Sequence, residues 1–394
     1  MQYSPLSLYV HIPFCPQHCP YCAFTVITGH ADLHTRYAEA VCTELHRWQS
    51  LATRGPLQTI FFGGGTPSLL TPAQLQQILA TAVAIFGLTP GAEITLEANP
   101  STADAEKFAA LHAAGFNRLS LGVQACNDAD LRALGRQHSA AEALAAYTAA
   151  RQAGFTNINV DVIFSIPGSS RPHWQHTIKQ LLTLAPEHIS TYSLTIEEGT
   201  RFAQRAHHGR LQPVSEDDDA WAYAWVMETL TAAGYEHYEV SNFARPGYRS
   251  RHNWGYWYGV DYLGVGLAAH SLLAGRRHWN LRNLRKYLAT LESGQDSCAG
   301  AEVLDPVTLR HERLWLQLRT CAGATLTTPE RCILQHAPKV RAMCDAGWVQ
   351  LTEARLSLTA SGFLLADAIG TEIIAVLAAS VSESQTVPAI TTMR

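Results

Sequence analysis

Cys15, Cys19 and Cys22 stand in the run H-I-P-F-C-P-Q-H-C-P-Y-C-A-F, a C-x3-C-x2-C loop. Three thiolates at this spacing can hold three irons of a [4Fe-4S] cubane and leave the fourth iron without a protein ligand, whereas an electron-transfer cluster uses four cysteines. An open iron can bind and activate a small molecule. Zinc is the competing assignment, because His18 lies inside the loop and Cys3His is a structural zinc set. Yet His18 adjoins Cys19, neighbouring residues seldom turn toward one metal, and no second pair of ligands follows. A disulfide framework fits less well. Nine cysteines is an odd number, and Cys42, Cys126, Cys298, Cys321, Cys332 and Cys344 are scattered singly, which reads as reduced packing residues.

Further candidates fall at the ends of β-rich runs. Gly63-Gly64-Gly65-Thr66-Pro67 follows one of them, and bare glycine amides let a backbone pass close to a ligand. Glu97, Gln124, Arg136 and Asp161 follow or end others. Singly, each is as consistent with a structural ion pair as with a ligand contact. Together they can bind an amino acid and a ribose, the Arg taking a carboxylate and the acids an ammonium and hydroxyls.

The elements that must position these residues alternate in type. Strand-like runs at 6–14, 58–62, 93–97, 118–123, 159–164 and 188–194 are separated by helical patterns at 35–51, 72–86, 103–114, 140–153 and 172–184. Thr71-Pro72 marks one helix start, and Gly87, Gly115 and Gly154 mark stops. Such alternation predicts an α/β fold with parallel strands and right-handed crossovers. Six units are too few for an eight-stranded barrel, so an open, partial (β/α)6 barrel is expected, with its site at the C-terminal strand ends.

The chain has 394 residues, 47% of them hydrophobic, and a net charge of −4. That length suits two or three domains: a barrel over 1–235, a connecting segment over 236–304, a small unit over 305–377 and a polar tail over 378–394. No run is apolar enough to span a bilayer and no basic block suggests nucleic acid, so a cytoplasmic location is expected. The connecting segment holds His252-Asn253-Trp254-Gly255-Tyr256-Trp257. A neutral imidazole can ligate heme iron and the aromatics offer flat apolar surface. The alternative is that they pack the barrel end, with His252 capping a backbone group. Helical patterns at 308–318, 329–335 and 338–345, followed by a hairpin over 348–358, suggest a winged-helix-like module. Lys339, Arg341 and Arg355 give it too little clustered charge to grip phosphates.

Residues 9–24, with G-G-G-T-P, E-A-N-P, L-S-L-G-V-Q and V-D-V-I-F-S-I-P-G, resemble the radical S-adenosylmethionine (SAM) family. The resemblance runs over about residues 5–375, within the branch that contains the oxygen-independent coproporphyrinogen III dehydrogenase HemN and the heme chaperone HemW. It implies that Cys15, Cys19 and Cys22 hold the cluster with SAM on its open iron, flanked by Tyr9 and Tyr21. Gly64, Gly65 and Thr66 would line the methionine, and Glu97, Gln124, Arg136 and Asp161 would contact SAM. In that mechanism the reduced cluster gives an electron to the sulfonium and a 5′-deoxyadenosyl radical is released. Three places separate the branches. Phe24 stands where the dehydrogenase has a further cysteine, the N-terminal arm of the dehydrogenase is expected to be missing, and H-N-x-x-Y-W is the heme-binding signature (His252, Asn253, Tyr256, Trp257). Gly266-Leu267-Ala268-Ala269-His270-Ser271 departs from the family's G-P-G-A-H-S. The resemblance therefore implies a protein that binds a [4Fe-4S] cluster, SAM and heme and delivers heme to an acceptor protein. A flavodoxin-type electron donor and peripheral membrane association are further expectations. The enzymatic alternative is coproporphyrinogen III dehydrogenation or another tetrapyrrole radical reaction.

Overall fold

The computed structural model describes residues 6–384. Two compact units divide them, one formed by residues up to 236 with 241–255 and 260–304, the other by 237–240, 256–259 and the chain from 305 onward.

The first unit is built on six parallel strands: β1 (Leu6–Ile12), β2 (Leu57–Gly64), β3 (Leu88–Ala98), β4 (Arg118–Gln124), β5 (Ile158–Phe164) and β6 (His188–Ser193), each paired with the next. Side chains alternate between strand faces. Leu8, Val10, Phe62, Leu96, Leu119, Leu121, Val160 and Val162 form the buried apolar set under the crossover helices. The other set, among it Tyr9, Phe61, Glu97, Ser120 and Asp161, faces inward. Helices Pro72–Phe86 and Ala140–Gln152 both open on a capping box, Thr71 with Gln74 and Ser139 with Glu142, which satisfies orphan amides at the first turn. These are the α/β elements read from the sequence, in the same order.

Outside the six strands the sequence reading fell short. Tyr262–Val265 runs parallel to β1 on its outer side, and the antiparallel strands His270–Leu273, Arg276–Asn280 and Cys298–Val303 extend the sheet beyond it. Asn242–Ala244 pairs antiparallel with β6. The segment expected to be a connection therefore supplies sheet edges, and strands of three to six residues are too short to show a period. Helix Glu216–Ala232, absent from the sequence reading, carries Glu216, Asp217, Asp218 and Asp219 in its first turn, where acids favour a helix N-terminus. All nine cysteines are free. Cys42 and Cys126 are buried as expected, but Cys321, in the turn after helix Pro306–Leu318, and Cys332, on the outer face of helix Thr328–His336, are exposed.

A buried carboxylate ties the added edge to the barrel. Glu44, on helix His34–Arg47, is 1% exposed. It accepts hydrogen bonds from Gly266 N (2.8 Å), Asn280 Nδ2 (2.6 Å), Tyr287 Oη (2.6 Å) and Ser297 Oγ (3.2 Å). From the same helix, Tyr37 Oη donates to the carbonyl of His11 (2.7 Å) and accepts from Leu267 N (2.8 Å). The altered Gly-Leu-Ala-Ala segment is thus braced against the end of β1.

In the second unit, helices Pro306–Leu318, Thr328–His336 and Pro338–Asp345 are followed by the hairpin Val349–Leu351 and Arg355–Leu358, and Ala324–Thr325, between the first two helices, joins it in a sheet ordered Ala324–Thr325, Arg355–Leu358, Val349–Leu351. This is the helix-then-hairpin arrangement expected, with one two-residue strand added. The closing helix, Ala366–Ser384, runs through 378–384, which had been read as tail; residues 385–394 lie outside the described residues.

Glu44→Ala would leave the Gly266 amide and the Tyr287 hydroxyl without an acceptor, while Asn280 keeps the carbonyl of Gly266 and Ser297 keeps Asn280 Oδ1. At about 1–3 kcal/mol for each unsatisfied group, the loss is expected to reach about 2 kcal/mol or more in urea unfolding.

Candidate functional site

At the end of β1 the chain enters the cysteine loop. Cys15 N donates to Ile27 O (2.9 Å) and Ile27 N to Pro13 O (2.7 Å), which closes the loop on itself. His18 Nε2 lies 2.9 Å from the carbonyl oxygen of Cys22. A carbonyl only accepts, so the proton is on Nε2 and that nitrogen serves the backbone and not a metal. The glycine turn after β2 comes directly against this loop, with Gly65 N donating to Ile12 O (2.8 Å) and Thr66 N to Phe14 O (2.7 Å). A Cβ on Gly65 would stand 2.7 Å from the carbonyl oxygens of both Pro13 and Phe14, and one on Gly64 would stand 2.6 Å from the His11 ring. Only glycine permits that approach.

The three cysteines line one cavity of about 630 Å³, together with Tyr21, the 64–66 turn, Glu97, Gln124, Arg136 and Asp161. Thr66 Oγ1 is 3.4 Å from Cys15 Sγ and Arg136 Nη1 is 3.7 Å from Cys19 Sγ, so two donors reach toward sulfur. Burial pushes the Cys15 thiol up to about 11, aided by the neighbouring thiols, and it raises Cys22 as well. Metal binding would release these protons. Among the described residues no three His, Cys, Asp or Glu side chains gather as they would about a single ion; in a cubane each thiolate takes a separate iron. Three sulfurs sharing one cavity, with hydrogen-bond donors behind them, fit such a cluster.

Opposite the sulfurs the cavity is electrostatically two-sided. Glu97 accepts from Gly64 N (3.1 Å), while Asp161 accepts from Ser120 Oγ (2.8 Å) and Asn159 Nδ2 (2.9 Å). Burial, with the charge of Asp161 added to it, pushes Glu97 up to about 8, and burial also raises Asp161. A cation placed between them would relieve both effects. Arg136 is fixed by the carbonyl of Gly122 (3.2 Å) and leaves a positive edge for an anion. Gln124 sits at φ +68°, next to a register shift in β4, and its amide lies where a Cβ on Gly122 would be. The cavity therefore suits a zwitterion with a further polar, hydroxyl-bearing part.

Of the residues selected for SAM, only Tyr9 is absent from the lining. Inward positions recur every two residues, so Tyr9 falls one layer beneath His11, its Oη 3.1 Å from His11 Nδ1 and its ring stacked on Phe61. Sequence reasoning passed over Ser120 and Asn159, which orient Asp161. The period-two spacing Ser120/Gly122 and Asn159/Asp161 was the available signal. It also passed over Tyr192 and Glu197 in the cavity wall. Phe24 stands at this rim, 72% exposed.

The H-N-x-x-Y-W residues lie on helix Arg251–Trp257, with His252 and Asn253 in the first unit and Tyr256 and Trp257 in the second. His252 is 1% exposed. Its Nδ1 is 2.7 Å from Thr59 Oγ1, its ring stacks on Phe61, and burial pushes it down to about 3. The amides of Arg251 and His252 donate to the Glu93 carboxylate, both at 3.0 Å.

Two outcomes follow from this geometry. Cys19→Ala is expected to abolish iron–sulfur absorbance after anaerobic reconstitution while the far-UV circular dichroism stays unchanged; wild-type iron content in the variant would refute the ligand assignment. For Glu97, the folded-state value lies above that of the unfolded chain, so its ionisation costs stability as pH rises from about 4.5 through 8. Unliganded Glu97→Gln should therefore gain Tm over the wild type between pH 6 and pH 9, with the gap widening as pH rises.

Comparison with known proteins agrees with this architecture. Residues 9–181 match the radical SAM superfamily. The chain is 36% identical over 370 residues to the heme chaperone HemW of Mycobacterium tuberculosis, covering 93% of this chain and 94% of that one. It is 41% identical over 270 residues to the heme chaperone HemW of Escherichia coli, covering 68% and 70%. The solved structure of the Escherichia coli coproporphyrinogen III oxidase HemN, a radical SAM enzyme, superposes with a TM-score of 0.80 at 24% identity, over 94% of this chain and 90% of that one, and so shares the fold. The chain belongs to the radical SAM superfamily and, within it, to the HemW family.

Proposed function

We propose that this protein carries a [4Fe-4S] cluster on Cys15, Cys19 and Cys22, binds SAM in the adjoining cavity, and binds heme for delivery to an acceptor protein. When bound, the cluster supplies an electron to the sulfonium of SAM. The residues of the chain hold and orient. Arg136 pairs with the SAM carboxylate, Glu97 receives the ammonium, Asp161 receives ribose hydroxyls, and the amides of the 64–66 turn face the methionine. Tyr21 closes the wall beside the cluster loop. Heme is assigned to the H-N-x-x-Y-W helix, where His252 would ligate the iron and Asn253, Tyr256 and Trp257 would complete the motif. His252 is enclosed in the described arrangement, so ligation requires its ring to leave Thr59 and the helix start to leave Glu93. A flavodoxin-type electron donor, a cytoplasmic location and peripheral membrane contact belong to the same reading. No helix of the described residues is long and apolar enough to cross a membrane.

One observation carries the choice of heme transfer over coproporphyrinogen III dehydrogenation. Arg136 is the only basic side chain among the cavity-lining residues, beside three acids, Glu97, Asp161 and Glu197. A substrate with four propionates needs several cations at its site, and the one available here is committed to the SAM carboxylate. Phe24 adds an apolar ring where the dehydrogenase has a cysteine.

Anaerobic heme titration of the reconstituted protein tests the reading. The wild type is expected to give a saturable Soret shift, and His252→Ala to alter the band and weaken binding, because an imidazole ligand to the iron is removed. Identical titrations of the two proteins would remove His252 from the assignment. Conversion of coproporphyrinogen III to protoporphyrinogen IX by the purified protein would move it to the enzymatic alternative.

A further inference from the structure

Beneath the ligand cavity, the inward face of β4 begins with Arg118, one inward position below Ser120 and in register with Thr95 of β3. Arg118 heads the fully buried side chains by size and is 1% exposed. Its Nε has no hydrogen-bond partner, nor does the hydroxyl of Thr95 beside it. No ion pair among the described residues includes it. A buried guanidinium with its Nε unpaired is costly, and a packing role at this position would be filled more cheaply by an apolar side chain. The next inward layer shows what the charge can act on. Glu97 is the register partner of Ser120, and Asp161 accepts from Ser120 Oγ at 2.8 Å. Two residues of strand rise separate the layers, about 6.6 Å, a range over which buried charges still interact strongly.

We propose that Arg118 is a positioning residue for the cavity, a fixed buried cation one layer under Glu97 and Asp161 that keeps both carboxylates available as charges for a cationic ligand above them. The identity of that ligand, SAM, rests on the function proposed above. Arg118 lowers both carboxylates, against the burial that raises them. It also holds His188 and His252 uncharged, in addition to their burial. The other groups facing the pair do not compete for the titration. His11 is pushed down to about 4 and Tyr9 is raised well above neutrality, both by burial. Glu93 is bonded to backbone amides, and the cysteines are iron ligands once the cluster is loaded. Burial holds both carboxylates above their ordinary range, Glu97 at about 8.

The test is SAM binding by the cluster-loaded protein, measured anaerobically by equilibrium dialysis from pH 6 to pH 9.5, for the wild type, Arg118→Met, Arg118→Gln and Arg118→Lys. In the neutral variants the midpoint of the pH–affinity curve is expected to rise by about one to two units, the effect of one charge at this separation in a medium of effective dielectric constant about 20. Arg118→Lys should return it toward the wild type. A pH-independent loss of affinity, or an unshifted midpoint, overturns the proposal. The infrared band of protonated carboxyls, read without SAM, gives a second measurement: it should persist to higher pH in the Met and Gln variants, and an unchanged band also overturns the proposal. Should the wild type bind no SAM, the ligand assignment fails while the infrared arm still decides the role of Arg118. If both neutral variants fail to fold, a wild-type-like midpoint and band in the folded Lys variant sustain the role of the charge, and an upward shift there refutes it.

Discussion

The contact on which the site depends is between two pieces of main chain. The turn after β2 donates its Gly65 and Thr66 amides to carbonyls at the start of the cysteine loop. Those bonds set how far the sulfurs stand from the amides facing the ligand. Side chains could not fix the distance as tightly, because each would bring its own rotamers. The cost is strict: with carbonyl oxygens 2.7 Å from where a Cβ would be, the turn tolerates nothing larger than glycine at 65. The cavity carboxylates join the same frame, since Glu97 accepts from the amide of Gly64. Cluster loop, glycine turn and acidic wall thus form one hydrogen-bonded unit.

Charge in the barrel is arranged along the strand axis. Arg118 lies low, Glu97 and Asp161 above it, and Arg136 at the mouth beside the cysteine loop. Each buried charge would be costly alone. Stacked with alternating sign they offset one another through a poorly screening interior, and the remaining imbalance at the cavity favours a ligand that is itself a zwitterion. His188 and His252 are kept neutral by burial and by Arg118, and His11 by burial, so they do not blur that pattern.

Much of this was legible in the sequence, and the reasons for the gaps are physical. The cysteine spacing, the glycine turn and the carboxylates at strand ends were visible because local patterns fix which strand end they occupy. Tyr9 was placed at the cluster although its inward layer lies below the cavity; a motif gives proximity along the chain and not depth in a barrel. His252 was read from its motif as a ligand, while its enclosure by Thr59 and Phe61 comes from residues some 190 positions away. Arg118 attracted no notice at all, since a lone arginine opening an apolar strand carries no local signal. The edge strands between 242 and 303 were missed for a related reason: their pairing is decided by β1, β6 and Glu44, far away in sequence.

That distance bears on how the protein is made. Strand β1 finds its outer neighbour only at Tyr262–Val265, and Glu44 finds its partners at positions 266, 280, 287 and 297. A ribosome adds about 5–20 residues per second. The segment that carries the cysteines therefore emerges roughly 12–50 seconds before the chain that will brace it. Throughout that interval three thiols lie near the front of an incomplete domain, open to adventitious metals and oxidants. The fold around the cysteine loop can close only after translation has passed residue 297.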